Sequence, residues 1–79
     1  MNSIIVKAEW DQQALVWTAT SDDVPGLVAE SPSMEKLRPK VMVMIEELIE
    51  LNKLAFDSKV IPVHFVAQST EKLENPLAA

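Results

Sequence analysis

From Ile4 to Trp10 the chain alternates, with Ile4, Val6, Ala8 and Trp10 on one parity and Ile5, Lys7 and Glu9 on the other. A period of two is that of a strand with one buried face. Ala14 to Thr20 repeats the pattern, setting Leu15, Trp17 and Ala19 against Val16, Thr18 and Thr20. The short polar link Asp11-Gln12-Gln13 predicts a β-hairpin. With Gln12 and Gln13 as its loop, Trp10 lies opposite Leu15, Ala8 opposite Trp17 and Val6 opposite Ala19. Both tryptophans then share the apolar face, and a one-residue slip would turn Leu15 and Trp17 away from it. The link lacks the Asn-Gly or Asp-Gly of the tightest hairpins, which leaves room for a longer loop.

The stretch SDDVPGLVAE, Ser21 to Glu30, follows. Pro25 pre-sets φ near −65° and Gly26, the only glycine, can take the positive φ of a type II turn. A short third strand over Leu27, Val28, Ala29 and Glu30 comes next. Ser31-Pro32-Ser33 then supplies two candidate helix caps, Ser31 with Pro32 at the first helical position or Ser33. Beyond it Met34, Leu37, Val41, Met44, Ile45, Leu48, Asn52 and Ala55 recur at steps of three and four, which predicts an amphipathic helix ending between Asn52 and Phe56. Pro39 falls inside that pattern, so the helix either kinks there or starts after a separate turn covering Met34 to Arg38. Met42, Ile49 and Phe56 widen the apolar stripe beyond one core seam, either as more core or as a subunit interface. A last strand is predicted over Val60 to Ala67, with Pro62 at its start or on an edge. The tail from Gln68 to Ala79 has no sustained periodicity and is expected to fray.

The element order is therefore β-β-β-α-β. Three antiparallel strands form a meander, the helix crosses back, and the fourth strand lies parallel to the first through a right-handed crossover. The expected fold class is α+β, a four-stranded mixed sheet in the order 3-2-1-4 with one helix on one face. Residues 1–67 make a single domain and 68–79 a tail.

Size and charge narrow the function classes. A core in a chain of 79 residues rarely supplies more than about 3–5 kcal/mol net, and without cysteine there is no disulfide to add to it. With 48% hydrophobic residues, oligomerisation is the remaining source of burial, and a homodimer or larger assembly is expected. Twelve acidic against seven basic residues leave a net charge of −5, the wrong sign for a nucleic-acid backbone; it suits a basic protein partner or, equally, simply keeps a small protein soluble. No secretory signal and no membrane span is visible, and the expected location is cytoplasmic.

Candidate chemistry is sparse. His64, the single histidine, sits out of phase with the apolar positions of its strand and has no evident nucleophile or orienting partner in sequence. Asp22 and Asp23 are adjacent, so in extended backbone they point apart, and turn capping suits them better than an acid–base pair. Glu46, Glu47 and Glu50 lie off the apolar stripe with no Glu-x-x-His pair, as on a solvated helix face. A single glycine rules out a glycine-rich phosphate loop, and tryptophans without a basic groove make a weak single-strand nucleic-acid site. Catalytic residues, cofactors and metals are not expected.

The pieces VKAEWDQQALVWTATSDDVPGLVAE, SPSMEKL and the helix through Leu51 resemble the HicB-type antitoxin family of bacterial toxin–antitoxin pairs. The opening IIVKAEWDQQALVWTATSDDVPGLVAE, with Trp10, Trp17 and Asp23-Val24-Pro25-Gly26, resembles more closely the domain of unknown function 1902 family. The resemblance implies a partial RNase H-like fold and a non-enzymatic role in which the domain masks a small, basic HicA-type toxin. In the antitoxins a separate C-terminal module binds operator DNA. Only twelve residues follow Ala67 here, so DNA binding is not expected to carry over. Pro39 is a further departure, and no RNase H-like acidic set is evident.

These observations predict an antitoxin-like interaction module that forms homo-oligomers. Asp22, Asp23, Pro25 and Gly26 make its structural turn. Leu27, Val28, Ala29 and Glu30 are candidates for an edge strand open to β-augmentation, and Met42 and Ile49 for a helix-side interface. Two other readings stay open: a ligand-binding or enzymatic site between subunits using His64 or Asp22 and Asp23, and an orphan scaffold without a toxin.

Overall fold

The computed structural model describes residues 2–78. Five elements follow in the predicted order: β1 (Ile4–Asp11), β2 (Val16–Thr20), β3 (Val28–Ser31), α1 (Met34–Asn52) and β4 (Val63–Gln68). The strands form one mixed sheet in the order β3-β2-β1-β4. β2 is antiparallel to both β1 and β3, and β4 is parallel to β1. The α+β class, the strand order and the single helix are those predicted from the hydrophobic pattern.

The hairpin register differs from the expected one. Trp10 pairs with Trp17, Ala8 with Ala19 and Asp11 with Val16, so the loop is the four residues Gln12 to Leu15. Asp11 builds this longer loop. Its Oδ1 accepts hydrogen bonds from the Gln13 and Ala14 amides at 3.0 and 3.1 Å, and its carbonyl accepts one from the Leu15 amide at 2.8 Å. Leu15 takes φ 56° and is largely exposed, so it closes the loop and contributes nothing to the apolar face. The shift is two residues, an even number, and the facing of every side chain in β2 is preserved. The tryptophan rings meet edge-on with centroids 5.5 Å apart. Trp17 packs on the core, whereas Trp10 stays half-buried at the sheet end, its Nε1 donating to Gln12 Oε1 at 2.9 Å.

The helix is continuous from Met34 to Asn52 and passes through Pro39. Of the two candidate caps Ser33 takes the role: its Oγ accepts from the Lys36 amide at 3.2 Å. Pro39 sits on the exposed side, where it deprives the helix of one bond. Lys53, at φ 50°, ends the helix with a left-handed residue. The third strand starts one residue later than expected, since Leu27 still belongs to the preceding turn. The fourth starts three residues later, at Val63, with the Pro62 carbonyl already accepting from the Ile4 amide at 2.9 Å.

The core is Ile4, Val6 and Ala8 of β1, Ala19 of β2, Ala29 of β3, Val24 and Leu27 of the turn, and Leu37, Val41 and Ile45 of α1. The helix lies over β3 and β2. On the other side of the same sheet face β1 keeps Ile4 and Val6 fully buried, whereas Val63 and Phe65, which β4 places beside them, are only partly covered.

Candidate functional site

The turn between β2 and β3 is built to hold backbone. Ser21 Oγ donates to the Ile5 carbonyl at 2.6 Å, and Asp23 Oδ2 accepts from the Ile5 amide at 2.8 Å. Asp23's own amide donates back to Ser21 Oγ at 3.1 Å. These two side chains take over where the β1–β2 ladder stops at Lys7 and Thr20, so both polar groups of Ile5 are satisfied on an edge that would otherwise gape. Val24 is then fully buried. The Leu27 amide bonds the Val24 carbonyl at 3.2 Å across Pro25 and Gly26, with Gly26 at φ 88°, as a type II turn requires. A Cβ on Gly26 would meet only Leu48 Cδ2 at 3.5 Å, so the backbone angle and not space calls for glycine. Asn52 Nδ2 reaches the Pro25 carbonyl at 3.5 Å and ties the turn to the helix end.

Asp22 stays exposed and lines a small concavity of about 150 Å³ with Lys7, Thr20, Ser21, Asp23 and Ile5. His64 pairs with Ile5 from β4, on the far side of β1, and does not line that concavity. Within one chain, therefore, His64 shares no pocket with Asp22 and Asp23. Among the described residues no three His, Cys, Asp or Glu side chains are placed to share a metal ion.

The sheet has two edges, and they differ. β3 is four residues long. Leu27 and Ala29 point into the core, leaving Val28 and Glu30 outward, and Lys40 Nζ donates to the Glu30 carbonyl at 2.9 Å. Lys40, reaching across from α1, thus occupies one backbone acceptor of this strand. β4 is six residues long, pairs on one side only and follows Pro62 instead of containing it. Beside β4, between the sheet and α1, runs an apolar groove of about 340 Å³. Ile4, Ile61 and Val63 line it from the sheet side, and Met42, Val43, Ile45 and Ile49 from the helix. Glu46 is the one charged residue along it among the described residues.

Met42 and Ile49, singled out in the sequence as stripe-widening positions, thus meet in this groove. Val43, Ile61 and Val63 belong with them and were not singled out. The available signal was the strand order itself, which makes β4 an edge, read together with the run of apolar residues from Val41 to Ile45. No helix among the described residues is long and apolar enough to cross a membrane.

Residues 3–75 match the family described as a domain of unknown function (DUF1902). A crystal structure of a hypothetical protein from the extremely thermophilic bacterium Thermus thermophilus is similar at 42% identity, with a TM-score of 0.72. The alignment covers 91% of this chain and 97% of that one. No curated protein matches the chain.

Proposed function

We propose that this chain, which belongs to the DUF1902 family of domains of unknown function, is a non-enzymatic protein-interaction module that associates with itself. The observation that carries the reading is the β4 flank, where an open six-residue strand edge runs beside an apolar groove bounded by Met42, Val43, Ile49 and Ile61. Such edges and grooves are what β-augmentation and hydrophobic docking use, and a chain of this size gains stability by covering them.

In its finer form the module is antitoxin-like and cytoplasmic, and it masks a small basic protein of the HicA type. The net charge of −5 and the resemblance of the Asp23-Val24-Pro25-Gly26 segment to HicB-type antitoxins support this form. Val28 and Glu30, facing outward on β3, offer a second edge for that partner. The test is light scattering of the purified chain, alone and co-expressed with the product of the adjacent gene. The reading predicts a homo-oligomer, and a tighter complex when the neighbour is a short basic protein. A monomer at every concentration that forms no such complex would remove it.

A further inference from the structure

The last ten described residues, Ser69 to Ala78, form no strand or helix beyond a terminal turn and are exposed throughout. The molecule measures 56 × 22 × 19 Å, an elongation far beyond what its small body needs. This arm holds the two most exposed large apolar side chains among the described residues, Leu73 and Leu77, each 92% exposed. Leu77 is presented on a formed turn, its amide donating to Asn75 Oδ1 at 2.9 Å and the Ala78 amide to the Asn75 carbonyl at 3.1 Å. Two leucines thus stand in water on the arm, while an apolar groove lies open between α1 and β4.

We infer that the groove between α1 and β4 takes the C-terminal arm of a second copy, with Leu73 and Leu77 entering it, so that two chains exchange arms. The inference rests on the self-association proposed above and names its occupant. Geometry favours exchange over self-insertion. β4 runs parallel to β1 from the Ile4–Val63 pair, at the groove, to the Glu9–Gln68 pair, where the arm departs. The exit lies about 17 Å from the groove along the strands, and the arm continues past the β1–β2 loop beside Gln12 and Gln13. Filling its own groove would require the chain to double back along the sheet. A second copy related by a two-fold axis presents its arm from the opposite direction, and ten extended residues reach about 33 Å. The contact is an apolar one: Glu71 and Glu74 flank Lys72 and Leu73, so the arm carries no net positive charge to meet Glu46.

The test uses the full chain, whose lack of cysteine gives a clean background for cross-linking. Leu73→Asp and Leu77→Asp are each expected to raise the dimer dissociation constant roughly 10- to 100-fold in sedimentation or light scattering, with circular dichroism unchanged. Met42→Glu with Val43→Glu, both exposed, should do the same from the groove side. Mixing the arm-defective chain, whose groove is intact, with the groove-defective chain, whose arm is intact, should restore a heterodimer. In a Leu73→Cys/Val43→Cys chain, oxidation should give a covalent dimer on a non-reducing gel. A dimer that keeps its affinity in the arm variants overturns the arm exchange and leaves self-association standing through another surface. A cross-link confined within one chain overturns it too. A monomeric parent chain overturns the exchange together with the self-association reading.

Discussion

The two halves of the sheet are made of similar residues and end in different states. On the β2–β3 side, α1 and the Val24–Leu27 turn cover the sheet, and Leu37, Val41, Val24 and Leu27 are buried with Ala19 and Ala29. On the β1–β4 side, β1 still buries Ile4, Val6 and Ala8, but Val63, Phe65 and Ile61 are only partly buried beside a groove, although they are at least as apolar. The difference lies in where the helix sits. It is connected to β3 by two residues, Pro32 and Ser33, and capped at once by Ser33, which holds its start close to that edge. Its end is tied by Asn52 to the Pro25 carbonyl on the same side. A 19-residue helix held at both ends toward one side of a four-stranded sheet leaves the β4 flank for something else to cover.

If the closed half is the folding core, truncating it should cost most. Leu37→Ala removes a fully buried side chain under the helix, and a loss of about 2–5 kcal/mol in urea denaturation is expected, enough to unfold a domain of this size. The turn that seats the helix end comes next. Gly26→Ala forces a Cβ into a left-handed backbone and should cost about 1–2 kcal/mol, without a steric clash to add to it. Asp23→Ala frees the Ile5 amide at the seam between the halves. A loss of about 1 kcal/mol is expected, with faster hydrogen exchange at Ile5 as the local signature. The smallest effect should come from the open half. Val43→Ser, measured at a dilution where self-association is absent, is expected to change stability by no more than about 0.5 kcal/mol. Were Val43→Ser as damaging as Leu37→Ala, the distinction between a closed and an open half would collapse.

Much of the fold was legible in the chain. The parity of Ile4, Val6 and Ala8 marked the buried face of β1, and the recurrence of Leu37, Val41 and Ile45 marked the inner side of α1. Pro25 and Gly26 announced their turn because only a few residues tolerate its angles. The hairpin register was not legible, because it was decided by a side chain bonding its own loop, Asp11 to Gln13 and Ala14, and by a leucine accepting φ 56°. No hydrophobic pattern encodes either. The candidate site was half legible. Met42 and Ile49 stood out as excess apolar surface, while Ile61 and Val63 read as ordinary strand residues until β4 was placed beside them.

By itself the sequence determined the elements, their order and which face of each is apolar. Those properties arise from interactions between residues a few positions apart, and periodicity records them directly. Which apolar surface remained uncovered was decided by the tertiary structure alone. The same stripe on α1 could have lain over β1 and β4 with no change in its pattern. Its position over β2 and β3 follows from short connections, caps and the Asn52 contact acting together across the chain. That lateral placement separates the core from the groove, and with it the residues that hold the fold from those available to a partner.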